Sequence, residues 1–219
     1  MKDIRLAGRE PALEARARAL YDERLPYHNF AHIQDTLAAA EVILERCAAE
    51  HIRIDSMVVY YGLLFHDAGY QDDHLTLGHR SKEAYSAALA ESVLGEFGTP
   101  SSQVQKVIAA ILATERDGSF VSAEQKAVRA ADLSGMAATW PVFLRHSLNL
   151  KREYELLNDC ELNWTQWQQN SEQVLSFYLT QEIRLTSYFH NERRESAFHT
   201  AVRENLRRLL AEPEQPDAA

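Results

Sequence analysis

Apolar residues along this chain recur at intervals of three and four, with polar and charged residues between them, which is the helical period. Leu13, Ala17 and Leu20 predict a helix over about 10–24, interrupted by Pro26. Ile33, Leu37, Ala40 and Leu44 form one stripe of a helix reaching about Glu50. Asp55-Ser56 offers N-cap chemistry to a strongly apolar helix through Val58, Val59, Leu63, Leu64 and Phe65, and Gly69 suits its left-handed end. A polar loop from Gln71 to Gly78 leads into a helix ending near Phe97. Gly98-Thr99-Pro100-Ser101 then breaks the pattern and opens a helix containing Val104, Val107, Ile108 and Ile111. After the turn signal Asp117-Gly118, a helix from about Ala123 carries Ala127, Val128, Ala131 and Asp132. Beyond Trp140-Pro141, helical patterns run over about 141–158, 164–190 and 192–211. No alternating strand pattern interrupts them, so the expected fold class is all-α.

A chain of 219 residues has ample length to bury a core. We expect a single helical domain over 1–211, its motif-bearing core at about 27–135 and a C-terminal helical extension at about 140–211. The Pro- and acid-rich EPEQPDAA at 212–219 reads as a disordered tail. Trp140, Trp164 and Trp167 are expected to anchor the C-terminal helices. His146, His190 and His199 are expected on helix surfaces or in packing.

Charge narrows the partners. Twenty-three Lys and Arg against 32 Asp and Glu give a net charge of -9. That balance disfavours nucleic-acid polymers and anionic membranes, whose phosphates need a basic surface. It leaves room for a small phosphorylated substrate, because a bound metal supplies positive charge locally. The opening MKDIRLAGRE is charged and has no apolar core, and no run reaches the roughly 18 to 20 apolar residues of a membrane span, so a cytoplasmic location is expected. Cys47 and Cys160 make no CxxC pair, and both are expected to be small buried hydrophobes in a reducing compartment.

Three segments carry candidate chemistry. His66-Asp67 closes the most apolar helix, where a carboxylate and an imidazole cost several kcal/mol to bury unless paired or metal-bound. In Tyr27-His28-Asn29-Phe30-Ala31-His32 the two histidines are four apart and share a face if both are helical. Asp132 sits among small and apolar residues in Ala130-Ala131-Asp132-Leu133 and needs a cation or donors.

The order His32, His66-Asp67, Asp132, all on helical patterns, resembles the HD superfamily of metal-dependent phosphohydrolases. The likeness spans residues 27 to 132 and implies an HD-type helical bundle. It implies a divalent metal (manganese, iron, nickel, zinc, cobalt or magnesium) held by His32, His66, Asp67 and Asp132. YHNFAH is similar to the YHN-x-x-H segment of cyclic-nucleotide phosphodiesterases, which makes His28 the implied general acid. Those enzymes follow the His-Asp pair with His-Pro-Gly, whereas this chain has HDAGYQDDH, so their substrate pocket does not transfer. Two-metal members place further ligands behind the pair, where this chain has His74 and His79, with Asp72 and Asp73 nearby and Glu83 able to orient His79.

The resemblance implies hydrolysis of a small phosphorylated substrate, a nucleotide or cyclic nucleotide, with Asp67 and His28 as the catalytic groups. Arg80, Lys82, Arg116 and Arg129 are candidates for phosphate contact by position, each weighed against an ordinary solvated surface charge. Two rival readings stay open: a non-catalytic nucleotide or metal sensor, and a di-iron oxygenase needing a second ligand set. The C-terminal helices could close over the pocket or form a homodimer interface.

Overall fold

In the computed structural model, which describes residues 10–191, 193 and 195–216, every regular element among the described residues is helical. The chain divides into two compact units, Met1–Asp132 and Leu133–Ala219.

In the first unit, helix α3 (Ser56–Phe65) is the core around which α2 (Phe30–Ala49), α4 (Lys82–Glu96), α5 (Ser101–Leu112) and α6 (Ala123–Asp132) pack. From Val58 to Phe65 every residue of α3 is buried, as an all-round apolar helix requires. Asp55 caps it, its carboxylate accepting the Met57 and Val58 N–H groups. Gly62 permits the close approach of α6, since a Cβ there would lie 2.9 Å from Val128 Cγ2. The Ile33, Leu37, Ala40 and Leu44 stripe is buried as expected. Helix α2 ends in a Schellman motif: His51, at φ 58°, donates to Ala48 O and Ile52 donates to Cys47 O.

Helix α1 is shorter than its periodicity suggests, covering Pro11–Arg18 rather than 10–24. Beyond it the chain turns. Asp22 accepts from the Arg24 N–H, and the Tyr21 hydroxyl donates to Leu64 O, so local polar contacts and a tertiary anchor replace the helical ladder. Two phenols of α3 hold α1 in place, Tyr60 donating to Glu14 (2.6 Å) and Tyr61 to Glu10 (2.7 Å).

Arg129 corrects the view of it as a surface cation or phosphate ligand. It is fully buried on α6, donates to the carbonyls of Ala113, Glu115 and Arg116, and lies 4.9 Å from the Phe120 ring centre. These bonds tie the chain after α5 to the helix that ends at Asp132, supplying donors to carbonyls of the turn that follows α5.

In the second unit, α7 (Trp140–Asn158), α8 (Trp164–Leu179) and α9 (Ala197–Ala211) assemble with a 3-10 turn at Leu133–Ala137. The tryptophans anchor as expected: Trp164 donates to Glu212 O, Trp167 to Ser147 Oγ, and Trp140 stacks beside Phe143 with Arg208 over its ring. His199 is buried between Ser196 and Gln181 O. Helix α8 stops well short of residue 190. Ile183 and Leu185, two apart, are both buried, which one face of a helix cannot accomplish, and Arg184 between them is left-handed at φ 49°. The helix expected from 192 begins instead at Ala197, capped by Ser196; residues 192 and 194 lie outside the described residues. Of the expected tail, 212–216 is irregular and 217–219 lie outside the described residues. No helix among the described residues is long and apolar enough to cross a membrane.

Cysteine burial departs from expectation at one position. Cys47 is fully buried and burial pushes its thiol up to about 11, whereas Cys160 is exposed past the end of α7. A chromogenic disulfide reagent is therefore expected to titrate one thiol in native protein and two in denaturant; equal reaction of both in the native state contradicts this packing. Arg129→Met takes a donor from three carbonyls, of which Glu115 O keeps the Gly118 N–H, and is expected to destabilise the protein by about 3 kcal/mol in urea unfolding, a loss below about 1 kcal/mol refuting the anchoring role.

Candidate metal centre

Three elements of the first unit meet at one corner. His32 lies in the first turn of α2, whose N-cap Asn29 accepts from the Ala31 and His32 N–H groups. His66 and Asp67 follow the last residue of α3, and Asp132 ends α6. Ligand atoms of His32, His66 and Asp132 lie within 4.8 Å of one another. Asp67 Oδ2 stands 3.4 Å from His32 Nε2 and 3.0 Å from His66 Nε2, and Asp132 Oδ1 stands 3.8 and 3.5 Å from the same two nitrogens.

The tautomer of His66 decides what this corner requires. Its Nδ1 donates to Leu63 O at 2.8 Å, so in the neutral ring Nε2 carries only a lone pair. That lone pair faces two carboxylates, acceptor against acceptor. The Nε2 atoms of both His32 and His66 are buried without a hydrogen-bond partner. Two inward nitrogens and two carboxylates at such spacing need positive charge between them, whether protons or a cation. Donor atoms bonded at about 2.1 Å to one ion stand about 3.0 Å apart at right angles and about 3.4 Å apart at tetrahedral angles. The two Asp67 separations, 3.0 and 3.4 Å, fall in that range, and the two Asp132 separations, 3.5 and 3.8 Å, lie beyond it.

Titration behaviour follows from the same geometry. Burial works to lower the His66 pKa, but the facing Asp67 and Asp132 carboxylates hold it well above the usual imidazole range. Burial works to raise Asp67, but the charges of His66 and His28 and the nearness of His32 hold it well below the usual carboxylate range. Tyr21, buried beside Asp67, is pushed up first by burial and then by that carboxylate's charge.

The remaining candidates fall into different places. His28 precedes the Asn29 cap, so it is not helical and shares no helix face with His32; the two rings are nevertheless 5.8 Å apart, because the turn before α2 folds back toward the corner. His74 and His79 lie in the loop between α3 and α4, joined by the His79 N–H to His74 O bond, and neither enters a metal-binding group among the described residues. Asp73 closes its own turn through the Thr76 N–H and hydroxyl, and Asp72 accepts from the Tyr85 hydroxyl. Arg80 pairs with Glu115 at 3.0 Å and is 70% exposed, the same carboxylate receiving the Ser81 hydroxyl at the start of α4. Arg116 is exposed. Lys82 lies half-buried with its ammonium 3.4 Å from the Tyr70 ring centre.

Sequence reading passed over Tyr70, which stacks on His28 at 3.8 Å with the rings 11° from parallel. Its position three after Asp67 is the only signal, and spacing alone does not separate it from other loop tyrosines. Gly69, left-handed at φ 71° and with space for no Cβ against Tyr85, makes the turn that delivers it.

No family model matches the chain, and comparison with curated proteins gives no match.

A divalent ion bound through His66 Nε2 needs a neutral ring, whereas the facing Asp67 and Asp132 carboxylates favour the protonated one. Binding is therefore expected to release protons and to tighten as pH rises, which calorimetry in buffers of different ionisation enthalpy measures. At a hundredfold excess over Kd, manganese, nickel or zinc is expected to stabilise wild type by about 2.7 kcal/mol, and His66→Ala or Asp132→Ala to abolish that gain. Undiminished metal stabilisation in both variants would place the binding site elsewhere.

Proposed function

We propose that this chain is a metal-dependent phosphohydrolase of the HD type, acting on a small phosphorylated substrate such as a nucleotide or cyclic nucleotide. The observation that carries the reading is the pair of buried, hydrogen-bond-orphaned Nε2 atoms facing Asp67 and Asp132. The resemblance of His32, His66-Asp67 and Asp132 to the ligand order of that superfamily supports it from a separate direction.

His32, His66, Asp67 and Asp132 would hold one divalent ion. Such an ion supplies Lewis acidity, offsetting phosphoryl charge and acidifying water. Asp67 is the side chain placed to orient the attacking water, since its carboxylate stays ionised beside the two imidazoles. His28, at the rim near His32 and Asp67, is the candidate proton donor to the leaving oxygen. The half-buried Lys82 is the candidate cation for an anionic substrate, against the net charge of -9 that opposes its approach.

The test is a panel of phosphomonoesters, phosphodiesters, nucleotides and cyclic nucleotides offered to metal-loaded protein. Asp67→Ala is expected to abolish turnover and metal binding with its helical circular dichroism kept. His28→Ala is expected to keep the metal and slow turnover by roughly a hundredfold or more. Absence of phosphate release from the whole panel at full metal occupancy sinks the hydrolase reading in favour of a sensor.

A further inference from the structure

We infer that Tyr70 is a positioning residue, the ring that fixes the His28 imidazole at the metal corner, and that Lys82 clamps this ring from its other face. The inference rests on the phosphohydrolase reading for its catalytic meaning, and on geometry for the arrangement. Two groups approach one ring centre, His28 at 3.8 Å and nearly parallel, the Lys82 ammonium at 3.4 Å. Both cannot occupy the same face at those distances, so Tyr70 is sandwiched between an imidazole and a cation.

Each member of this column comes from a different segment. His28 belongs to the turn before α2, Tyr70 to the loop after Asp67, and Lys82 is the first residue of α4. An irregular turn does not by itself hold a side chain to the tolerance that proton transfer demands. Tyr27 bounds the imidazole on another side, its ring edge-on to His28 at 4.9 Å. The placement of Lys82 is costly for the helix, since a cation at the first helical position opposes the macrodipole. Contact with the electron-rich face of Tyr70 offsets that cost and gives the lysine a fixed station. Lys82 is held there by its helix start, where Ser81 caps α4 by accepting the Ala84 N–H and donates to Glu115.

The arrangement has a readout that does not depend on turnover. A parallel ring at 3.8 Å shields the His28 ring protons, so their resonances in wild-type protein are displaced upfield. Histidine-labelled protein, with the His28 signals assigned by their loss in His28→Gln, is compared with Tyr70→Leu, Tyr70→Phe and Lys82→Met. Tyr70→Leu is expected to return the His28 resonances to ordinary positions and to lower kcat roughly 10- to 100-fold, with KM, metal content and helical circular dichroism unchanged. Tyr70→Phe keeps the ring and is expected to restore both resonances and kcat, which excludes a chemical role for the hydroxyl. Lys82→Met removes the clamp together with the candidate substrate cation, so its readout is the spectrum rather than kcat: the His28 resonances are expected to move part of the way toward ordinary positions. Unmoved His28 resonances in Tyr70→Leu overturn the stack itself. Moved resonances with unchanged kcat overturn the positioning role. Lack of any wild-type turnover defeats the hydrolase reading and the column's catalytic meaning with it, while the resonances still report whether the column exists.

Discussion

Four polar side chains meet at a corner that buries both imidazoles and leaves the two carboxylates partly exposed, and they cannot be left to themselves. His66 spends its Nδ1 proton on Leu63 O, and its remaining nitrogen then looks at two carboxylates. His32 adds a second inward nitrogen with no hydrogen-bond partner. Acceptors opposed in a low-dielectric setting repel, and only positive charge among them turns the arrangement from a defect into a stable site. Protons can meet that need in the ion-free protein, as the raised His66 and lowered Asp67 show. A metal ion held by His32, His66 and Asp132 could meet it as well, since their ligand atoms lie within 4.8 Å of one another.

The helices of the first unit are arranged to bring these groups together despite their separation along the chain. Helix α3 is apolar all round, so its C-terminal end, and His66 with it, is carried into the interior. Gly62 lets α6 approach that helix closely, which brings the end of α6 and its Asp132 toward His66. Arg129, one turn before Asp132, locks α6 to the carbonyls that follow α5. Asn29 begins α2 where His32 falls in its first turn. A buried arginine that looked like a surface charge in the sequence thus acts as the brace of the carboxylate's helix.

Around the corner lies a softer periphery of turns. His28, Tyr70 and Lys82 are drawn from three separate segments, and ring stacking and a cation over a ring join them. Contacts of this kind are individually weak. The His74–His79 loop, by contrast, satisfies its polar groups within itself or through Tyr85.

The helical class, most helix starts and the residues that meet at the corner, His32, His66, Asp67 and Asp132, were legible from the sequence. Asp55 caps α3, the Ile33–Leu44 stripe is buried, and the apolar settings of His66, Asp67 and Asp132 marked them as needing partners. These features are local: period, capping chemistry and the price of desolvation act within a few residues. Tertiary structure alone decided the rest. It ended α1 at Arg18 through the Tyr21 anchor, broke α8 so that Ile183 and Leu185 could both be buried, sank Arg129 and exposed Cys160. It also set Tyr70 between His28 and Lys82. Periodicity identifies which face of a segment turns inward, but which distant carbonyl, ring or carboxylate waits there is fixed only when the helices pack.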